Sequence, residues 1–198
     1  MTEKIIPRCP GVVEAGPVYL KYHDEEWGKP EHDERKLYEM FLLELFQAGL
    51  AWILILNKRE NFRRVFDGFD VRKVAAYDET KVAELLKDEG IIRSRAKIEA
   101  AIHNARIVLD IQKEFGSFSD YLWHFTDGMS VIEDISVTRD ELSDRVSADM
   151  KKRGIKFAGS VTIFSFLQAV GIIYSHDRCC FCYERDSAQT FKEYNSNK

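Results

Sequence analysis

The spacing of hydrophobic positions along the chain is helical over most of its length. In several stretches apolar residues recur every three or four positions, as on one face of an α-helix. Alternating strand patterns are scarce, and hairpin dipeptides such as Asn-Gly are absent. The sequence therefore predicts an all-α fold.

Capping residues and glycines set the expected ends of these helices. The first predicted helix is capped by Asp33 and has Leu37, Phe41, Leu45, Ala48 and Trp52 on one face, and the second runs through Val82, Leu85 and Leu86 and ends at Gly90. A long helix is predicted from Ser94 to near Gly116, and a short one is marked by Phe118, Tyr121, Leu122 and Phe125. The last two are a helix that starts at a capping box over residues 138–141 and ends at Gly154, and a buried helix from Ser160 to Ile173.

Length and composition predict an ordinary globular protein. The chain has 198 residues, of which 45% are hydrophobic and 31% charged, which is enough for a sizeable core. We expect a single domain over residues 1–185, or two tightly joined helical lobes with a cleft between them, followed by a polar tail over 186–198. No apolar stretch is long enough to span a bilayer, and the N-terminus lacks a signal-peptide pattern, so a cytoplasmic location without membrane contact is expected.

The charge balance argues against a protein that coats nucleic acid by bulk attraction. The net charge is −4, with 29 basic against 33 acidic residues. A compact basic face is still compatible with this balance, because Lys and Arg cluster over residues 58–64, 93–97 and 151–153. Each cluster alone is more typical of a solvated helix face than of a DNA site.

The turn at residues 89–95 joins two predicted amphipathic helices. It contains Gly90, two isoleucines and flanking cations. A helix-hairpin-helix that docks on a phosphate has this composition, since its backbone N–H groups can point at an anion. An ordinary corner between two helices is the alternative, and this segment alone favours it.

Cysteines and histidines near both ends of the chain suggest a metal site. In a cytosolic protein, clustered cysteines are more often a metal site or free thiols than a disulfide. His176 and Cys180 form a His-x₃-Cys pair, and Cys9 and His23 are the obvious further ligands for a closed tetrahedral site. Such a site would be structural. Spacing leaves open Cys179 and Cys182, which form a competing Cys-x-x-Cys.

One carboxylate interrupts a long apolar run. Glu44 is the only charged residue between Met40 and Asn57, and such a group is costly to bury unless it is paired. If the helix continues, Gln47 and Ala51 share its face and Trp52 lies beside it. A carboxylate, an amide and aromatic walls suit a flat, cationic heterocycle. Alternatively, Glu44 simply satisfies a core cation or a backbone N–H.

Several motifs, in order from Arg8 to about Tyr183, resemble the 3-methyladenine DNA glycosylase I family. They are Tyr22-His23-Asp24-x-Glu26-Trp27-Gly28, Leu43-Glu44-x-x-Gln47-Ala48-Gly49-Leu50-x-Trp52, Lys58-Arg59-Glu60-Asn61-Phe62-Arg63, Gly90-Ile91-Ile92-Arg93, Asn104-Ala105-Arg106, Lys152-Arg153-Gly154-x-Lys156-Phe157-x-Gly159 and Ser165-Phe166-x-Gln168-Ala169-x-Gly171.

The resemblance implies a monofunctional helix-hairpin-helix glycosylase. Such an enzyme hydrolyses the N-glycosidic bond of N3-methyladenine, and more weakly of N3-methylguanine, in double-stranded alkylated DNA. It needs no nucleotide cofactor, and we expect a monomer. By position, the resemblance implies that Glu44 recognises the base. It implies as substrate-binding residues Tyr22, Trp52, Tyr19, Trp27, Gln47 and Leu50. It also implies a structural zinc whose ligands are Cys9, His23, His176 and Cys180.

The chain departs from the family pattern at three positions. Gly11 stands where Trp is usual, Leu45 where a small residue is usual, and Ala51 where Ser is usual. One wall of the base pocket is therefore expected to differ. The alternative function is a zinc-containing lesion-binding protein of the same fold with weakened catalysis. A zinc hydrolase of free nucleosides would require an open metal position, which a four-ligand site does not leave.

Overall fold

The computed structural model describes residues 6–186 and 191–192, and these are mostly helical, as the periodicity predicted. The helices are α1 Pro17–Glu25, α2 Glu34–Gln47, α3 Trp52–Val65, α4 Val71–Ala75, α5 Glu79–Leu85, α6 Arg95–Phe115, α7 Phe118–Trp123, α8 Glu141–Lys152, α9 Ser160–Ala169 and α10 Phe181–Asp186, with short 3₁₀ turns at Asp67–Phe69 and His124–Thr126.

The described residues also contain three very short strands. They are β1 Ser130–Ile132, β2 Ile173–Tyr174 and β3 Phe191–Lys192. β1 lies in the centre and pairs in parallel with both neighbours, with Val131 opposite Ile173 and Ser130 opposite Phe191. These strands tie the residues that follow α9 to the middle of the chain.

Helix α2 forms the centre of the hydrophobic core. Every residue from Leu37 to Phe46 is buried, and the helix contacts α3, α6, α7 and α9. A helix that is buried on all sides must satisfy any charge that it carries. Its start is as predicted, because the Asp33 carboxylate accepts a hydrogen bond from the Lys36 backbone N–H at 3.0 Å.

The predicted continuation of this helix to Trp52 is wrong. Helix α2 ends at Gln47, and α3 begins at Trp52. Between them Gly49 has φ +80°, a left-handed conformation that suits glycine. Consequently Ala48 and Ala51 do not extend the helical face of Glu44, and Trp52 reaches that region from a different helix.

Three other helix ends differ from the prediction. Helix α5 ends at Leu85, and Gly90 follows in a loop, where a Cβ would lie 2.7 Å from the Asn61 side chain. The cap of α8 is Asp140, whose partner is Ser143, instead of a box starting at residue 138. Helix α9 ends at Ala169, because Gly171 (φ +73°) packs against the Lys29 backbone and a Cβ there would clash at 2.2 Å.

Helices α6 and α7 follow the prediction closely, whereas α1, α4, α10 and a separate α3 were not predicted. Helix α6 is preceded by Ser94 and ends at Gly116, which has φ +95°. The loop over residues 86–94 joins α5 to α6, and its Gly90 N–H donates to the Asp88 carboxylate at 2.7 Å. A phosphate contact of this hairpin therefore stays a prediction.

Within the described ranges, no helix has the length and apolar content needed to cross a bilayer. The cytoplasmic location expected from the sequence stays a prediction. The predicted polar tail over 186–198 lies largely outside the described residues, and the division of the chain at residue 185 also stays a prediction.

Candidate active site and Cys/His cluster

The break between α2 and α3 is held by side chains. The Gln47 amide donates to the Leu50 carbonyl at 2.7 Å. Lys97, on α6, donates to the Phe46 and Ala48 carbonyls at 2.7 Å each, which satisfies carbonyls that a helix end leaves free. This turn brings Trp52 back toward α1.

A cavity of about 160 Å³ lies where α1, α2, α3 and α9 meet, and we call it the aromatic cavity. Six of the seven candidate substrate residues line it: Tyr19, Tyr22, Trp27, Glu44, Gln47 and Trp52. Leu50 is half-buried on the adjoining turn and does not line it. Ser165 and Gln168 complete the lining from α9.

Sequence reasoning missed Ser165 and Gln168 as site residues, although a signal existed. They are polar residues in the middle and last turn of α9, whose buried face is apolar. A polar pair in a buried helix must face a partner, solvent or a cavity.

Glu44 is the most unusual group of the aromatic cavity. Its side chain is buried, and its Oε2 has no hydrogen-bond partner among the described residues. Burial raises the pKa of this carboxyl group to about 8, because a low-dielectric site disfavours the ionised form. Among the described residues no cation pairs with it, so the alternative that Glu44 satisfies a core cation finds no support. A raised pKa in a cavity is a frequent mark of a functional site.

Aromatic rings form the walls beside this carboxyl group. The Tyr22 and Trp52 ring centroids lie 5.6 Å apart at 56°, and Tyr19 meets Tyr22 edge-on at 6.3 Å. The buried Trp52 indole N–H also lacks an acceptor among the described residues. An orphan donor and an orphan acceptor in one aromatic cavity fit a flat ligand that carries both N–H groups and ring nitrogens.

The Cys/His cluster of Cys9, His23, His176 and Cys180 lies next to this cavity. All four side chains are buried, and their potential ligand atoms lie within 4.8 Å of one another. The Cys9 Sγ is 3.5 Å from His176 Nδ1, and the Cys180 Sγ is 3.7 Å from His23 Nε2. Ligand atoms around a tetrahedral zinc stand roughly 3.3–3.8 Å apart. The donor set therefore fits a metal ion.

The other ring nitrogens of the cluster are also occupied. His23 Nδ1 contacts the Asp24 carboxylate at 2.8 Å, and His176 Nε2 contacts the Trp27 carbonyl at 3.1 Å. Such acceptors fix the tautomer that leaves the opposite nitrogen free for a metal. Cys182 forms a second, competing trio with His23 and Asp24, whereas Cys179 is exposed.

Trp27 links the two sites. Its ring stacks on His23 at 5.9 Å and meets His176 edge-on at 4.6 Å, while its indole also lines the aromatic cavity. One wall of the cavity thus rests on the cluster.

Several arginines of the basic clusters form ion pairs within the protein. Arg59 bridges Glu39 and Glu26 at 2.5 and 2.7 Å, and Arg63 also binds Glu39. Arg153 pairs with Glu114 and Asp149, and Arg95 with Glu79 and Glu99. These residues act first as parts of ion-pair networks.

Comparison with known proteins identifies the family. The family model described as methyladenine glycosylase matches residues 12–183. The chain belongs to the methyladenine glycosylase family. This confirms the resemblance seen in the sequence motifs.

Individual relatives agree with this assignment across nearly the whole chain. DNA-3-methyladenine glycosylase 1 of Escherichia coli (strain K12) is 45% identical over 181 residues, which are 89% of this chain and 96% of that protein. A crystal structure of 3-methyladenine DNA glycosylase I has a TM-score of 0.85 at 45% identity, covering 89% of this chain and 99% of that one. A variant of 3-methyladenine DNA glycosylase I in complex with 3-methyladenine has a TM-score of 0.81 at 36% identity, covering 84% and 92%.

The three departures from the methyladenine glycosylase pattern lie in different surroundings. Leu45 is buried in the core and does not line the aromatic cavity. Ala51 is the exposed N-cap of α3 and gives that helix no side-chain cap. Gly11 is exposed, and a Cβ there would meet nothing within 4 Å. Leu45 therefore does not change a wall of this cavity, and a change of the wall at Gly11 or Ala51 stays a prediction.

Proposed function

We propose that this protein is a DNA-3-methyladenine glycosylase that starts base-excision repair of alkylated double-stranded DNA. It hydrolyses the N-glycosidic bond of N3-methyladenine, and more weakly that of N3-methylguanine, as a monofunctional enzyme and a monomer without a nucleotide cofactor. The observation that carries the proposal is Glu44, a buried and unpartnered carboxyl group in an aromatic cavity. The activity named for its relatives supports the same conclusion.

The target base must leave the duplex before it can reach this cavity. Extruding a nucleotide costs a few kcal/mol, which stacking and hydrogen bonds in the cavity must offset. Tyr22 and Trp52 supply ring faces, and both favour a positively charged base. Leu50, half-buried on the turn after α2, is the side chain that we propose to fill the gap in the DNA stack.

Glu44 serves mainly for recognition. With a pKa of about 8 it is protonated at neutral pH in the free enzyme. A cationic alkylated base favours the carboxylate form, so binding releases the proton to solvent and leaves an anion beside the cation. The carboxylate then accepts hydrogen bonds from the N–H groups of the base. An alkylated base is already a good leaving group, so no strong general acid is required.

We propose that zinc is the ion of the Cys/His cluster and that its role is structural. Cys9, His23, His176 and Cys180 would hold it as a closed four-ligand site, which leaves no position for a reactive water. The bound ion would tie the two ends of the chain together and support Trp27 at the cavity wall. The chemistry on the base then depends on the aromatic cavity alone.

The test is release of N3-methyladenine from methylated duplex DNA by wild type, Glu44→Ala and Glu60→Gln. Glu60 is an exposed carboxylate on α3 and serves as the matched control. We expect release by wild type and by Glu60→Gln, and at least about a hundredfold lower kcat/KM for Glu44→Ala, equivalent to about 2.7 kcal/mol.

Absence of release by folded, metal-loaded wild type would overturn this function. The alternative would then be a lesion-binding protein of the same fold with weakened catalysis. That protein would bind duplexes containing an abasic site in a gel-shift or anisotropy assay without liberating any base.

A further inference from the structure

Arg59 lies on α3 outside the aromatic cavity, and recognition of the base as described above does not involve it. It forms ion pairs with the end of α1 and with the middle of α2. We propose that Arg59 is a positioning residue of the glycosylase, because it fixes the relative orientation of the three helices that carry Tyr22, Glu44 and Trp52. The proposal rests on the function proposed above.

The guanidinium group of Arg59 binds two carboxylates from different elements. Its Nη1 donates to Glu26 Oε2 at 2.7 Å, and its Nε donates to Glu39 Oε1 at 2.5 Å. Glu26 is the C-cap of α1, and Glu39 belongs to the buried part of α2. A planar guanidinium has donors in fixed directions, so it sets the angle between its partners as well as their distance.

The contact between Arg59 and Glu39 is shielded from solvent. The two side chains are only 16% and 6% exposed, and the same oxygen of Glu39 also accepts from Arg63 at 2.7 Å. A partly buried ion pair is screened much less than an exposed one. Arg59 therefore constrains its neighbours more strongly than an exposed cation on the same helix, such as Arg64, constrains its partner.

The partner of Arg59 at the end of α1 is next to two residues of the aromatic cavity. The Tyr22 carbonyl accepts from the backbone N–H groups of both Glu26 and Trp27, each at 2.9 Å. Tyr22 and Trp27 both line the cavity. By binding Glu26, Arg59 holds the end of α1 at the point where the chain supplies two aromatic walls.

The partner of Arg59 on α2 sets the rotation of that helix about its own axis. Glu39 and Glu44 are five positions apart, which separates them by roughly 140° around an α-helix. Glu39 faces α3, whereas Glu44 lines the cavity. Most of the other buried residues of α2 are apolar, and apolar packing is not directional. The ion pair therefore keeps Glu44 turned toward Trp52, which lies two turns before Arg59 on α3.

The test compares Arg59→Lys with Arg153→Lys. Arg153 is the matched control, because its side chain is 22% exposed and also bridges two carboxylates, those of Glu114 and Asp149, and it does not line the aromatic cavity. Three quantities are measured: the melting temperature, the dissociation constant of free N3-methyladenine from quenching of tryptophan fluorescence, and kcat and KM for its release from methylated duplex DNA.

We expect both lysine variants to fold and to lose a similar amount of melting temperature, because lysine keeps the charge but not the planar fork. Only Arg59→Lys should weaken binding of the free base, by about tenfold. It should also lower kcat/KM by roughly tenfold to a hundredfold, mainly through kcat, because small displacements of reacting groups are costly. Arg153→Lys should bind the free base like wild type.

A second variant, Glu26→Gln, breaks only the more exposed half of the bridge, since Glu26 is 42% exposed and the buried pair with Glu39 remains. It should fold like wild type and weaken binding of the free base about threefold. This variant tests the proposal even if Arg59→Lys does not fold.

Wild-type base affinity and kcat/KM in folded Arg59→Lys, or in Glu26→Gln, would overturn the proposal even if the melting temperature fell. An equal loss of base affinity in Arg153→Lys would also overturn it, because the effect would then be general destabilisation. If wild type neither bound the free base nor released it from DNA, the glycosylase function would fail, and this inference with it.

Discussion

The aromatic cavity and the Cys/His cluster share Trp27, yet they differ in whether their buried polar groups have hydrogen-bond partners. In the cavity, Glu44 Oε2 and Trp52 Nε1 have no partner among the described residues. In the cluster, both nitrogens of His23 and His176 have a neighbour within 3.8 Å. Unsatisfied buried groups cost stability. The buried polar groups of the cavity therefore lower the stability of the fold, whereas the histidines of the cluster have partners for both ring nitrogens.

Loss of the cluster should have the largest effect on stability. We expect Cys180→Ala to lower the free energy of unfolding by about 5 kcal/mol, less than the 10 kcal/mol or more of isolated zinc peptides because the helical core remains. For a chain of this size the melting temperature would fall by about 10–20 °C. Thermal unfolding by circular dichroism, with metal content by mass spectrometry, measures both effects.

Cys179→Ala is the matched control for this prediction. Cys179 is the exposed neighbour of the buried Cys180, and its removal should change neither metal content nor melting temperature. Equal behaviour of the two variants would mean that Cys180 holds no metal.

Removal of the buried carboxylate should instead stabilise the protein. The pKa of Glu44 is raised from 4.5 to about 8 in the folded state, so between these values the unfolded chain binds fewer protons and stability falls as pH rises. At about 1.4 kcal/mol per unit, the cost is about 3 kcal/mol at pH 7. Glu44→Gln should regain this amount at pH 7, and the gain should vanish toward pH 4.5, as measured by urea unfolding.

Glu39→Gln is the comparison for Glu44→Gln, because Glu39 is buried on the same helix but forms ion pairs. Its carboxylate accepts from Arg59 at 2.5 Å and from Arg63 at 2.7 Å. Breaking these pairs leaves a buried cation undercompensated and should destabilise the protein by about 3 kcal/mol. If both glutamine variants shifted stability in the same direction, the contrast between orphaned and paired carboxylates would be wrong.

The turn between α2 and α3 should contribute a smaller amount to the free energy of unfolding. Lys97 donates two hydrogen bonds to the carbonyl end of α2, and charge-assisted bonds of this kind are worth roughly 2 kcal/mol together in a half-exposed setting. Lys97→Met should lower the free energy of unfolding by about this amount. It should also raise KM more than it lowers kcat, because Gln47 loses its fixed position.

Lys113→Met provides the comparison for Lys97. Lys113 is exposed on the same helix and pairs only with Asp110 in a surface ion pair, which contributes little. An equal loss of stability in the two variants would show that the carbonyl contacts of Lys97 are unimportant.

Sequence reasoning predicted the helices better than the connections between them. The starts at Asp33 and Ser94 followed from local capping and periodicity. The end of α2 did not, because Trp52 continues its apolar spacing by coincidence while Gly49 and Lys97 fix the turn. The end of α9 depends on Gly171 meeting the Lys29 backbone, a contact between distant segments that no local pattern reveals.

The residues of the site were also predicted only in part. Glu44 stood out because one charge in an apolar run is visible in the sequence itself. Ser165 and Gln168 reach the cavity from a helix more than 100 positions later in the chain. Their proximity arises only from tertiary packing, and whether these residues act on substrate stays a prediction.

The smallest predicted effect tests how the metal is held. Asp24 accepts from His23 Nδ1 at 2.8 Å and is bound by Arg8, so in the proposed site it orients a ligand without touching the ion. Loss of such an outer contact typically weakens metal binding about tenfold, or about 1.4 kcal/mol. We expect this loss for Asp24→Asn in a zinc competition assay against a chelator, with Asp110→Asn unchanged.

The size of this loss separates the two candidate donor sets. The competing trio of His23, Asp24 and Cys182 would make Asp24 a direct ligand. In that case Asp24→Asn would weaken zinc binding far more than tenfold, and Cys182→Ala would do the same while Cys9→Ala would not. A tenfold loss for Asp24→Asn, with large losses for Cys9→Ala and Cys180→Ala, requires the four-ligand site that joins the two ends of the chain.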